Sequence, residues 1–427
     1  MNEIGSTFDA LWSELLPIGR SAAGGYRRFA WSDADLEARE WFVSAADDRE
    51  LDVQVDRNGN LWAWWLPTGW PGEPRGAFVS GSHLDSVPDG GAFDGPLGVV
   101  SALCAIDVLR SRGVQPLRPV AVAVFADEEG ARFGIACAGS RLATGALSPE
   151  AARGLVDVGG VSLDQAMRRA GVDTSQLGRD DQTLRRVGVF VELHIEQGRA
   201  LVDLDAPIGI GSSIRPHGRW RFSFEGQANH AGTTRLEDRR DPMLPFAAAV
   251  LRARELAAER GGVATFGRVQ VEPNATNAVP SNVTAWLDAR GPNQEIVDEI
   301  VEGVLKVADV RARDEQMTVT VTAESMSTVV MFSAEVRSRL HRVLDSVAGI
   351  GTGLGLRVVP DLGTGAGHDA GVLSSTVPTA MLFVRNPTGV SHSPEEFAAR
   401  ADCLAGVEAL AAVMTDWVST TASVDAS

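Results

Sequence analysis

The chain is short of basic charge. Its 427 residues hold 39 lysines and arginines against 56 aspartates and glutamates, a formal charge of −17. A nucleic-acid partner requires a basic face, so this balance argues against one. A few local arginines would still suffice to bind a small carboxylate. Cysteine is scarce as well. Cys104, Cys137 and Cys403 lie far apart with no CxxC spacing. That excludes a disulfide framework or a zinc finger and suits a reducing compartment. No apolar run reaches the roughly 18 residues of a membrane-spanning helix. Residues 1–10 lack the basic region and apolar core of a signal peptide. A cytoplasmic protein without a membrane partner is expected. Internal repeats are absent too. The remaining balance, 44% hydrophobic and 22% charged, is that of an ordinary globular chain long enough for two or three domains.

What is present falls into two patterns. Helical spacing covers 7–16 and 32–49, with Ser32 as a helix cap. Residues 51–56 and 61–66 alternate around Asn58-Gly59, a hairpin signal. Strand 76–82, helix 97–112, strand 119–125 and strand 187–193 follow. These strands are apolar on both faces, as central strands of an α/β sheet are. Between 214 and 326 the order becomes β-α-β-β-α-β, a split βαβ unit inserted in the larger domain. Its strands are 219–225, 263–271, 282–290 and 317–324, and its helices 241–260 and 293–313. The α/β pattern then resumes with helix 333–347, strand 355–360, a glycine-rich loop 363–367, strand 378–385 and helix 395–415. The tail after Val418 reads as frayed.

Three buried strands each deliver a polar cluster, and sites in open α/β sheets gather beyond strand ends. The loop "GSHLDSVPDGGAFDGPLG", residues 81–98, carries one histidine and three aspartates. Asp127-Glu128-Glu129-Gly130 follows strand 119–125, and His194 ends strand 187–193. Of the seven histidines, His83, His194, His368 and His392 follow strands or lie in glycine-rich loops. Neutral imidazoles and carboxylates suit zinc or manganese, and a carboxylate held between two ions makes a two-metal hydrolytic site. One ion would take His83 and His194, the other Glu129 and His392, with Asp94 bridging. Glu128 would remain free as the base, and Asp85 would orient the His83 ring. Taken singly, each motif has a plainer explanation: a turn with aspartate caps, or a glutamate pair capping a helix. Five candidate ligands arriving in order make the plain explanation weaker.

The strings "HLD" (83–85), "DG" (94–95), "DEEG" (127–130) and "HSPEE" (392–396) resemble the M20 metallopeptidase-like amidohydrolases. "DEEGARFG", "ELHIEQG", "GQANHAGTT", "PNATNAVP", "LDAR" and "GAGHDA" are similar to the branch of allantoate amidohydrolases, N-carbamoyl-L-amino acid hydrolases and β-ureidopropionases. The likeness runs from about residue 10 to 415. It implies a metallo-aminopeptidase-like α/β catalytic domain over 1–213 and 327–427. It also implies an inserted ferredoxin-like α+β lid over 214–326 that forms a homodimer. It assigns His83, Asp94, Glu129, His194 and His392 to two divalent ions, zinc or manganese, and Glu128 to proton transfer. His230 and Asn277 would serve the developing oxyanion and Arg290 the substrate carboxylate. Gln197 and His368 would line the pocket.

The expected reaction is hydrolysis of a ureido or similar C–N bond beside a carboxylate, on allantoate or an N-carbamoyl-L-amino acid. A dipeptidase or aminoacylase of the wider family is the enzymatic alternative, and a metal-binding dimer without catalysis the non-enzymatic one. Three stretches depart from the usual pattern: Arg235-Leu236 after "NHAGTT", Ser213–His217, and Phe383–Gly389. Arg385, with Arg215, is expected to supply charge for a second acidic group, as in N-formyl or N-carbamoyl derivatives of glutamate or aspartate. Against that stands a surface ion pair of Arg385 with a carboxylate such as Glu395.

Overall fold

The computed structural model describes residues 2–347 and 358–419. The chain divides into two compact units, residues 1–212 with 332–427, and residues 213–331. No helix among the described residues is long and apolar enough to cross a membrane.

In the first unit, four buried strands run parallel. Ala77–His83 lies between Val120–Phe125 and Val187–Ile195, and Thr379–Val384 lies on the far side of Val187–Ile195. Parallel strands point their carboxyl ends to one edge. The register sharpens this: His83 stands opposite Phe125, and His194 opposite Phe383. Asp127, Glu128 and Glu129 leave the sheet at that edge two residues beyond Phe125. Two antiparallel strands flank this centre. Leu61–Trp65, hairpinned to Asp52–Val55, pairs with Val120–Phe125, and Ile208–Ile214 pairs with Thr379–Val384.

Helices cover the sheet. Ser32 accepts from the Asp35 N–H and starts Asp33–Asp47. Pro96–Ser111 begins with proline, whose missing N–H costs nothing at a helix start. It is buried almost all round, from Pro96 to Ile106 without interruption, which is why its sequence carries no polar stripe. Gly98 sets how closely it lies on the sheet. A Cβ there would sit 2.3 Å from the Leu193 carbonyl and 2.8 Å from the Ser82 Cβ. These are the neighbours of His194 and His83.

The second unit has a four-stranded antiparallel sheet in the order Thr318–Ser327, His217–Glu225, Asn282–Arg290, Val263–Glu272. Helices Met243–Arg260 and Gln294–Asp314 bury Ala249, Ala253, Leu256, Val297, Ile300 and Val304 against Phe222, Phe224, Val283, Ala285 and Leu287. Phe222 and Phe224 alternate with Arg221, Ser223 and Glu225 along one strand, so period 2 alone tells its faces apart.

Several boundaries differ from the sequence reading. Of strand 355–360, residues 355–357 lie outside the described residues, and 358–360 form no strand. The tail beyond 419 is likewise outside them. The loop expected over 363–367 begins as a strand, Asp361–Thr364, on Ile208–Ile214. The last helix starts at Arg400 rather than 395 and ends at Val418. Strand Ile208–Ile214 was not foreseen, because the two glycines and two serines of "IGIGSSI" read as a breaker.

Gly98→Ala should cost about 1–3 kcal/mol by overpacking, read from chemical denaturation. Gly267→Ala, where an added Cβ meets nothing within 4 Å, should cost no stability.

Candidate metal centre

At the carboxyl edge of the parallel strands, three histidines converge on one aspartate. His83 Nε2 lies 3.4 Å and His194 Nε2 3.2 Å from Asp94 Oδ1. His392 Nε2 lies 3.4 Å from Asp94 Oδ2 and 3.5 Å from Glu129 Oε2. Each buried ring is turned by its other nitrogen. His83 Nδ1 is 3.1 Å from the Asp85 carbonyl, and His194 Nδ1 is 2.9 Å from the Ile195 carbonyl. A carbonyl only accepts, so both Nδ1 atoms carry the proton and both Nε2 atoms are left as lone-pair donors. Neither Nε2 has a hydrogen-bond partner, although both are buried.

The Asp85 carboxylate has a second task besides standing beside the ring. It is 3.6 Å from His83 Nδ1, and its two oxygens accept the N–H groups of Glu128 and Glu129 at 3.1 and 3.0 Å. It therefore holds the glutamate pair, while its own carbonyl holds the ring. The approach to that pair is strained: Asp127 has φ +56°, as has His392. Neither is glycine, and such strain at a site implies surroundings that impose it.

Donor atoms fall into two groups that share Asp94, His83/Asp94/His194 and Asp94/Glu129/His392, each within 4.8 Å. A third group, Glu192/His194/His368, competes for His194. Both Glu192 oxygens are already engaged, by Ser82 Oγ at 2.7 Å and the Ala370 N–H at 2.9 Å. The electrostatics favour cations in the first two. Burial works against ionising Asp94, yet the imidazoles of His194, His392 and His83 facing it hold its carboxyl well below the usual range. Contact with Asp94, offset by burial, lifts His392 to about 9. A field that binds a proton on imidazole this firmly also favours a metal ion. The nitrogen and oxygen donors fit zinc or manganese, and the unpartnered Nε2 atoms are where an ion would bind.

Glu128 belongs to neither three-donor group. It is buried, and its Oε2 is 3.7 Å from His83 Nε2. Its carboxyl is pushed well above the ordinary range by burial first, then by Asp369, Glu129 and Asp85. A cation nearby pulls the other way. Cys137, a residue the sequence reading passed over, donates its thiol to Glu128 Oε1 at 3.3 Å.

Gln197 and His368 join this site. The Gln197 amide donates to Asp94 Oδ2 at 2.8 Å and to Ser391 Oγ at 3.1 Å. The His368 ring packs edge-on against His194 with centroids 4.5 Å apart, and burial keeps it neutral. In the second unit, His230 and Asn277 are neighbours. His230 pairs with Ala278, and the Ala231 N–H donates to the Asn277 carbonyl at 2.9 Å. His230 Nδ1 accepts the N–H groups of Gly232 and Thr233, so its proton is on Nε2, facing away from that turn. Arg290 is held by Asp288, two residues back on the same strand face, at 2.8 and 3.2 Å. Arg215 is exposed.

Arg385 does not serve a substrate carboxylate. Its Nε and one terminal nitrogen each donate to Asp402 at 2.9 Å, and the other reaches Asp205 at 3.3 Å. Its fork makes a bidentate pair with a buried aspartate. The sequence reading also missed Glu192 and Glu396. The first had a signal, since Glu192 and His194 stand two apart on one face of a buried strand.

A parallel α/β sheet that gathers imidazoles and carboxylates at its carboxyl edge, with one buried carboxylate to spare, defines a metal-dependent hydrolase. The sequence matches the model of peptidase family M20/M25/M40 over residues 79–416, and the chain belongs to that family. An N-carbamoyl-L-amino acid amidohydrolase of Geobacillus stearothermophilus is 34% identical over 94% of this chain and 96% of its own. An allantoate amidohydrolase of Escherichia coli K12 is 32% identical over 94% and 95%. A crystal structure of an amidase of the hydantoinase/carbamoylase family from Burkholderia multivorans superposes with a TM-score of 0.85, at 28% identity and 98% coverage of both chains.

Arg385→Ala should leave the ratio of kcat/KM between acidic and neutral substrates unchanged. It should cost about 1–3 kcal/mol of stability, because Asp402 is left buried without its partner. A selective loss on acidic substrates would restore the expected role.

Proposed function

We propose that this protein is a two-metal amidohydrolase cleaving an acyclic ureido or carbamoyl C–N bond in a small carboxylate. Allantoate and N-carbamoyl-L-amino acids are the candidate substrates. The observation that carries the reading is Glu128: a buried carboxylate beside both donor groups but part of neither. Hydrolysis needs such a group, whereas simple metal storage does not. His83 and His194 would hold one ion, Glu129 and His392 the other, and Asp94 both. When bound, the ions supply Lewis acidity to the scissile carbonyl and lower the pKa of water toward neutrality. Glu128 takes the proton of the attacking water and returns it to the leaving nitrogen. His230 offers its Nε2–H, and Asn277 its amide, to the oxyanion. Arg290 pairs with the substrate carboxylate through two parallel hydrogen bonds, which lysine cannot reproduce. Asp288 holds that guanidinium in place meanwhile.

The second unit is the lid and the dimerisation element in this reading. Support comes from the edge strand Val263–Glu272, ten residues long. It exposes Val263 and Val269, and helix Met243–Arg260 exposes Leu244, Val250 and Leu251. A long edge strand invites pairing.

The metal-loaded enzyme should release ammonia or amine from allantoate or N-carbamoyl-L-amino acids and leave dipeptides intact. Glu128→Gln should keep metal and substrate binding while lowering kcat by roughly 10²-fold or more. Preferred turnover of dipeptides would overturn the substrate class, and an unchanged kcat the role of Glu128. Arg290→Lys should raise KM at least about tenfold; an unchanged KM removes Arg290 from substrate binding.

A further inference from the structure

The carboxylate of Glu396 links the two loops that carry Asp94 and His392. It is buried, and its Oε1 accepts the N–H of Phe93 at 2.9 Å and that of Asp94 at 3.0 Å. Its Oε2 lies 3.4 Å from Ser391 Oγ, and the same hydroxyl is 3.4 Å from Asp94 Oδ2. Glu396 stands four residues after His392 but 302 after Asp94. Its seat is built for it: a Cβ on Gly91 would lie 2.3 Å from Glu396 Oε1.

The two donor groups differ in how they are supported. His83 and His194 belong to parallel strands and are fixed by the sheet. Glu129 and His392 belong to loops, and His392 is half-exposed at φ +56°. Only clamps from other segments fix their separation. Asp85 is the clamp on Glu129, through its backbone N–H. From the other side, we infer that Glu396 is the positioning residue that holds Asp94 in register with His392 and so sets the affinity of the second metal ion. This rests on the two-metal reading above. Glu396 touches no donor atom itself. It acts through the backbone of Asp94 and the hydroxyl of Ser391. Partners of this kind commonly change metal affinity 10- to 100-fold.

The test titrates Mn²⁺ into chelator-stripped full-length protein, with bound metal counted by equilibrium dialysis and elemental analysis. Wild type should take up two ions. Glu396→Ala should keep one at wild-type affinity and bind the other at least about tenfold more weakly. Glu396→Gln keeps an oxygen for the Phe93 and Asp94 N–H groups and should restore the second ion. If Glu396→Ala does not fold, Gly91→Ala carries the same test, since its Cβ displaces the carboxylate without removing it. Two ions at wild-type affinity in the alanine variants, or equal weakening of both, overturns the positioning role. Fewer than two ions in wild type overturns the two-metal reading instead.

Discussion

The structure is organised around buried negative charge. Asp85, Asp94, Asp127, Glu128, Glu192, Asp369 and Glu396 are all buried. Most have hydrogen bonds, and at the centre three imidazoles face Asp94. Desolvating a carboxylate costs several kcal/mol unless it is paired. The upward displacement of Glu128 and of Glu129, the latter to about 7, has burial as its first cause. Cations between the donors would resolve this conflict, and the orphaned Nε2 atoms of His83 and His194 are on the side where they would bind.

Such a cluster needs a rigid frame, because like charges push apart whatever is free to move. The parallel strands supply it. Their register brings His83 and His194 to one edge at the same level, and Gly98 lets a largely buried helix press on both strands. What the sheet does not fix, backbone clamps do. Asp85 holds the Glu128-Glu129 pair, and Glu396 holds Asp94. The carboxylates are thus of two kinds. Asp94 and Glu128 face the donor atoms, while Asp85 and Glu396 behind them accept backbone N–H groups. That division separates the chemistry from its scaffold.

The second unit uses charge differently. His217, Arg219 and Arg221 alternate with Gly218, Trp220 and Phe222, so one sheet face is polar and the other apolar. Arg290 stands opposite His217 across the sheet, and Asp288 opposite Arg219. On that face arginines and acids pair: Asp288 with Arg290 and Arg219, and Glu324 with Arg221.

Much of this was legible in the sequence, for local reasons. Apolar runs on both faces marked the parallel strands, and strict alternation marked the second unit, because side-chain period reports burial directly. The donors His83, Asp94, Glu129, His194 and His392 were legible because their residue types follow strand ends, and parallel strands end together. Tertiary structure alone decided the rest. Arg385 was assigned by Asp402 and Asp205, segments that no spacing connects to it. The last helix starts at Arg400 because Glu396 is engaged 302 residues away with the Asp94 backbone. The Asp85 carboxylate holds the glutamate pair as well as standing beside the ring because the N–H groups of Glu128 and Glu129 lie within its reach. Periodicity records which side of an element is buried. Which buried acid meets which donor depends on where distant segments come together, and only the folded chain settles that.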